Sequence, residues 1–213
     1  MRLIRSSWLA LTMILMLTAP ARAETTLDDL LNAAETGNNA VVIDGVRRGM
    51  DVDSCDEAGL SLLMRAAREG NLELVDFLVR NRANIRARTS WGDSAMSLAA
   101  QKGRTAVIRR LIEAGGEVDQ PGWSAILYAA MEGHVDSVKL LLEKGANPNS
   151  RAPSQLTPLM IASRNGHVDV VRILLAAKAD PNAKNDRGDT AMKWALDSKN
   201  TDIGDLLRAA GAR

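Results

Sequence analysis

The chain has 213 residues, a formal net charge of +1, 25% charged side chains and 3% aromatic ones. A balance so close to neutral argues against a nucleic-acid partner, which calls for a clearly basic face. The single cysteine, Cys55, excludes an intrachain disulfide, so stability has to come from core burial.

At the N-terminus, Arg2 and Arg5 precede an uncharged run from Trp8 to Ala19, followed by the small-x-small pattern Ala21-Arg22-Ala23. This is the pattern of a secretory signal peptide spanning residues 1–23, cleaved after Ala23. The run is 12 residues long, against the roughly 20 that a membrane-spanning helix needs. No Arg-Arg pair precedes it and no cysteine stands directly after it to accept a lipid, so the expected product is an unlipidated chain without membrane insertion, exported unfolded. An exported chain without disulfides points to the periplasm of a Gram-negative bacterium. Residues 24–213 carry 24 basic and 26 acidic side chains, a net charge of −2.

The remainder is organised by a repeat. Ala33, Ala66, Ala99, Ala129, Ala162 and Ala195 recur at intervals of 33, 33, 30, 33 and 33 residues. Four residues after the alanine stands Gly37, Gly70, Gly103, Gly133 or Gly166, and five before it stands Ser61, Ser94, Ser124, Thr157 or Thr190. The hydroxyls suit helix N-caps, the alanines a close helix approach, and the glycines a left-handed helix end. A second apolar-periodic segment follows each turn, at Leu72 to Val79, Thr105 to Ile112, Val135 to Leu142 and Val168 to Leu175. Gly145-Ala146-Asn147-Pro148-Asn149 and Ala179-Asp180-Pro181-Asn182 then lead into polar loops.

One helix pair cannot bury both of its apolar faces alone, so the pairs stack. The predicted units are an N-terminal cap at 27–53, repeats at about 56–85, 89–118, 119–149 and 152–182, and a C-terminal cap at 185–213. The first unit lacks the cap-and-loop start, and the last has Lys199 where the turn glycine belongs. The interval of 30 puts a shortened loop between Gly115 and Ser124.

Thr157-Pro158-Leu159 with Ala162, Gly166-His167-Val168-Asp169-Val170-Val171, Leu174-Leu175 and Ala179-Asp180-Pro181-Asn182 resemble the ankyrin repeat nearly throughout. The other copies are looser. The family's proline is replaced by Leu62, Ala95, Ala125 and Ala191, and its histidine by Met64, Ser97, Leu127, Met160 and Lys193. The resemblance covers about Leu27 to Gly211 and implies an all-α solenoid of about six repeats, counting the degenerate ends. It also implies a non-catalytic protein that binds a partner protein through its loop fingers and the concave side of its first helices.

Catalysis is the competing reading, with His134, His167 or Cys55 as the reactive groups. The two histidines occupy the same repeat position just after the turn glycine, where the resemblance implies a structural part. Cys55 has no base near it in sequence. No phosphate-cradling glycine motif is present, and no metal or cofactor is expected.

Aligning the repeats by column gives the residues on the binding surface that the resemblance implies. The position before the cap holds Leu60, Asp93, Trp123, Leu156 and Asp189, and two positions earlier stand Ala58, Trp91, Pro121, Ser154 and Arg187. After the alanines come Met131, Glu132 and Arg164 among others. The expected partner-binding residues are Leu60, Trp91, Asp93, Trp123, Met131, Glu132, Leu156 and Arg164, an apolar strip with a mixed-charge rim. Packing of each tryptophan on its own loop is the alternative, and Trp194 is assigned to the core. A monomer is expected.

Overall fold

Hydroxyl caps and glycine turns divide the chain into short helices. The computed structural model describes residues 25–213; the signal peptide expected at residues 1–23 lies outside the described residues. Helices α1 (Leu27–Thr36) and α2 (Asn39–Arg47) form the first pair, followed by α3 (Leu62–Glu69) with α4 (Leu72–Arg80) and α5 (Ala95–Gln101) with α6 (Thr105–Glu113). Then come α7 (Ala125–Glu132) with α8 (Val135–Glu143), α9 (Pro158–Asn165) with α10 (Val168–Ala176), and α11 (Ala191–Asp197) with α12 (Thr201–Ala209). Among the described residues there is no strand, only an isolated antiparallel bridge between Cys55 and Ser61.

Odd-numbered helices pack side by side in one row and even-numbered helices in a second. Ala66, Ala67, Ala99, Ala100, Ala129, Ala130, Ala162 and Ala195 lie between the inner helices and are fully buried, which is what lets these helices approach. Each outer helix turns an apolar stripe inward, such as Leu74, Val75 and Leu78 of α4 or Val170, Val171 and Leu174 of α10. One continuous core therefore runs from Leu30 to Leu207.

The caps form largely as their residue types dictate. Ser61, Ser94, Thr157 and Thr190 each accept a bond from the backbone N–H three residues on. Ser97, standing where the family has histidine, closes a reciprocal cap by accepting from the Ser94 N–H at 2.8 Å. Ser124 departs from the pattern. The shortened finger brings it in through a tight turn, its N–H 3.0 Å from the Gly122 carbonyl, and its buried hydroxyl has no partner. The first unit, expected to lack a cap, has one two residues upstream of the repeat register: Thr26 and Asp29 form a capping box.

The turn glycines meet two demands at once. Gly133 has φ 76°, and the ring of His167 from the next repeat rests on it so closely that a Cβ would come within 2.6 Å of Nδ1. At the last turn Lys199 adopts the same left-handed conformation with φ 61°, an ordinary residue held there at some strain.

Finger bases are tied by an Asx ladder. The N–H of Asn84 donates to Asp53, that of Asn147 to Asp119, that of Asp180 to Asn149 and that of Arg213 to Asn182, at 2.7 to 3.0 Å. Arg86 occupies the corresponding position in the second finger and makes no such bond among the described residues. There Arg88 bridges instead, 3.4 Å from the Pro121 carbonyl and 3.9 Å from Glu117. The third finger, residues 114–124, is shorter than its counterparts at 48–61, 81–94, 144–157 and 177–190, as the interval of 30 requires.

Candidate functional site

Three of the five fingers are tied by a side chain near the base that accepts backbone N–H groups across the tip. Asp56 accepts from Ala58 and Leu60, Thr89 from Trp91 and Asp93, and Asn185 from Arg187 and Asp189. Adjacent tips are also joined, with the Ser90 N–H donating to the Ala58 carbonyl at 2.9 Å.

On this frame the eight predicted surface residues separate into different environments. Trp91 is 76% exposed at the tip of the second finger. Glu132 and Arg164 are exposed on the inner helices, whereas Leu60, Asp93, Trp123, Met131 and Leu156 are half-buried. Trp123 packs with Met131 and Leu156 on a cluster of Leu127, Ala152 and Ile161, and its ring centroid is 5.4 Å from that of Tyr128. The predicted strip is thus interrupted: Trp123 and its neighbours are largely spent on local packing, while Trp91 stands free.

Asp93 is drawn into the same region. It accepts the Tyr128 hydroxyl at 2.7 Å, tying the second finger to α7. Burial pushes the Tyr128 phenol well above its ordinary value of 10.0, and the bond to the Asp93 carboxylate raises it further.

At the C-terminal end, Arg164 stacks its guanidinium 4.8 Å from the centroid of Trp194, a cation–π arrangement. Trp194 is buried, as assigned, and its Nε1–H points to Asp189 at 3.4 Å. Together with Arg187, Lys193 and Asp197 they line an open cleft of about 490 Å³. Lys193 bridges Asp197 at 2.9 Å and Asp189 at 3.1 Å. Those bonds raise the Lys193 ammonium, Asp197 first, and the bond from Lys193 holds the Asp189 carboxyl low. This cleft was not legible as a site in the sequence, because Arg187 and Lys193 come from different elements and Arg164 from the preceding repeat.

The candidate reactive groups lie elsewhere and apart. His134 Nε2 is 3.0 Å from the Gln101 carbonyl and His167 Nε2 is 2.9 Å from the Met131 carbonyl. A carbonyl only accepts, so each ring donates there and serves as a tie between repeats. Arg104 and Asn200 make equivalent bonds to the Arg68 and Arg164 carbonyls of the preceding repeats. Cys55 is exposed on the first finger. Among the described residues no three potential metal ligands converge, and no helix is long and apolar enough to cross a membrane.

Comparison with known proteins agrees with this architecture. The family model described as ankyrin repeats (3 copies) matches residues 30–120 and 63–152, and ankyrin repeats (many copies) matches residues 140–195. The chain is 31% identical over 170 residues to ankyrin repeat and SOCS box protein 3 of Homo sapiens, covering 61% of this chain and 33% of that protein. It is 26% identical over 170 residues to the Bos taurus protein of the same name, covering 61% and 32%. It is 31% identical over 98 residues to a putative ankyrin repeat-containing protein of Treponema pallidum, covering 44% and 33%. The chain spans about a third of the length of these relatives. With the helix pairs, capped turns and tied fingers in place and most of its length matched, the chain belongs to the ankyrin-repeat family.

Proposed function

We propose that the protein is a non-catalytic binding module that holds another protein against its fingers and concave face, as a scaffold, inhibitor, immunity factor or protector. The observation that carries this reading is Trp91, a large apolar side chain 76% exposed on a finger whose backbone is held by Thr89. Exposed aromatic anchors on rigid supports lose little entropy on binding and supply much of an interface's energy. The Arg164–Trp194 cleft offers a second, polar contact at the far end of the same surface.

Export to the periplasm through the segment at residues 1–23 is part of the proposal. Expression of the full chain in a Gram-negative host, followed by osmotic-shock fractionation and N-terminal sequencing, should give a periplasmic protein beginning at Glu24. For the binding surface, affinity capture from a periplasmic extract should be compared between residues 24–213 and the Trp91→Ala, Arg164→Ala double variant. The reading expects partners that the variant loses. An identical set of partners at equal strength would remove these two residues from the interface.

Catalysis at His134, His167 or Cys55 finds no support in the geometry, because both imidazoles are engaged by backbone carbonyls at the turns between paired helices and Cys55 lies on the first finger.

A further inference from the structure

We propose that two copies of this protein pair, each inserting the Trp91 finger into an acidic apolar recess on the first unit of the other. The recess measures about 720 Å³; Leu27, Leu31 and Ala58 supply its apolar wall and Asp28 and Glu57 its free charge, while Asp56, which also lines it, is paired with Arg65. Leu27 is 44% exposed there, and among the described residues Asp28 and Glu57 make no ion pair. A space of that size admits an indole.

The finger has the complementary character. Trp91 is 76% exposed, Arg86 is exposed, and Arg88, which donates to the Pro121 carbonyl, has its nearest carboxylate at 3.9 Å in Glu117. The wider charge distribution follows the same division. Residues 25–60 carry eight carboxylates against Arg47 and Arg48, while residues 80–110 carry eight basic side chains against Asp93 alone. Opposite potentials of this kind steer association and set register.

Placement favours a closed pair. The Ser90 N–H to Ala58 carbonyl bond holds finger and recess side by side at one end of the stack. A two-fold axis between two copies lets both insertions occur together, whereas features at opposite ends would build an open chain. This departs from the monomer expected from sequence, although the column that holds both Ala58 and Trp91 already sets them on neighbouring fingers. A second copy and a partner protein would then exclude one another at Trp91.

The test is sedimentation equilibrium of residues 24–213 without any partner, so its failure leaves the proposed binding function standing. A monomer–dimer equilibrium is expected, weakened about tenfold or more as salt is raised from about 50 to about 500 mM, and similarly by Trp91→Ala. The Arg86→Glu, Arg88→Glu variant and the Asp28→Lys, Glu57→Lys variant should each dimerise poorly, and mixing them should restore a heterodimer. Cys55, which also lines the recess, should react more slowly with a thiol reagent in the dimer. A monomer at every concentration, a dimer indifferent to all these substitutions, or open-ended oligomers would each overturn the proposal. Should the charge variants fail to fold, as circular dichroism would show, the exposed Trp91→Ala change still decides it.

Discussion

The imidazole of His167 lies over Gly133, the glycine one repeat earlier, and donates to the Met131 carbonyl at 2.9 Å. Gly133 is thus required both by its φ of 76° and by the 2.6 Å approach a Cβ would make to Nδ1. Gly133→Ala should cost about 1–2 kcal/mol for the left-handed backbone alone, with a further cost for displacing the ring. His167→Ala opens that space, so the double variant should be less destabilised than the sum of the singles. Urea unfolding of the three variants checks this, and strict additivity would contradict the contact.

The two finger tryptophans should separate cleanly in stability. Trp123→Ala removes packing on Tyr128 and on the cluster of Leu127, Ala152 and Ile161, and should cost about 2–3 kcal/mol. Trp91→Ala removes an exposed side chain and should stay within about 0.5 kcal/mol. Thermal melts measure both, and equal losses would mean that Trp91 packs as Trp123 does.

Tyr128 is the single tyrosine of the chain, so its ionisation can be followed directly by ultraviolet absorbance. Burial and the bond to Asp93 favour the neutral phenol in the folded state. The associated stability is fully present below the unfolded value of about 10 and is lost as pH rises above it. Tyrosinate absorbance should therefore appear well above the ordinary range, and only as the protein unfolds. Tyr128→Phe should cost about 1 kcal/mol at neutral pH by leaving the half-buried Asp93 carboxylate without its donor.

The Asp189–Lys193–Asp197 group predicts opposite behaviour at the two ends of the pH scale. Asp189, held below 3.8, contributes above that value and loses its contribution as pH falls through the lowered one. Lys193, raised above 10.5, contributes below that value and loses its contribution as pH rises through the raised one. The last unit should be indifferent to pH between these limits. Lys193→Met should flatten both limbs when α11 unfolding is followed through Trp194 fluorescence.

How much of this was legible in the sequence depended on whether the determinant was periodic. Caps, turn glycines and the four second helices recur at the repeat interval and were placed to within a residue; each outer helix runs one residue further than its apolar pattern, through Arg80, Glu113, Glu143 and Ala176. Thr26 was missed because its cap sits two residues outside the register, and Ser124 was assigned a cap that the shortened finger does not let it make. The surface was less legible. A column alignment gives the position of a side chain but not what it touches, so Trp91 and Trp123 looked alike although one is free and the other packs on Tyr128. The cleft around Arg164 and Trp194 joins three segments that no single repeat contains.

The Asx ladder that ties neighbouring finger bases is interrupted at Arg86, where Arg88 substitutes longer contacts to the next finger. Only the ladder breaks there: α5 and α7 pack against each other as the other inner helices do, and the His134–Gln101 and Thr105–Ser137 bonds cross the same boundary. The Asp93–Tyr128 bond spans the same boundary, so the second finger is anchored to the next repeat through its tip side rather than through its base.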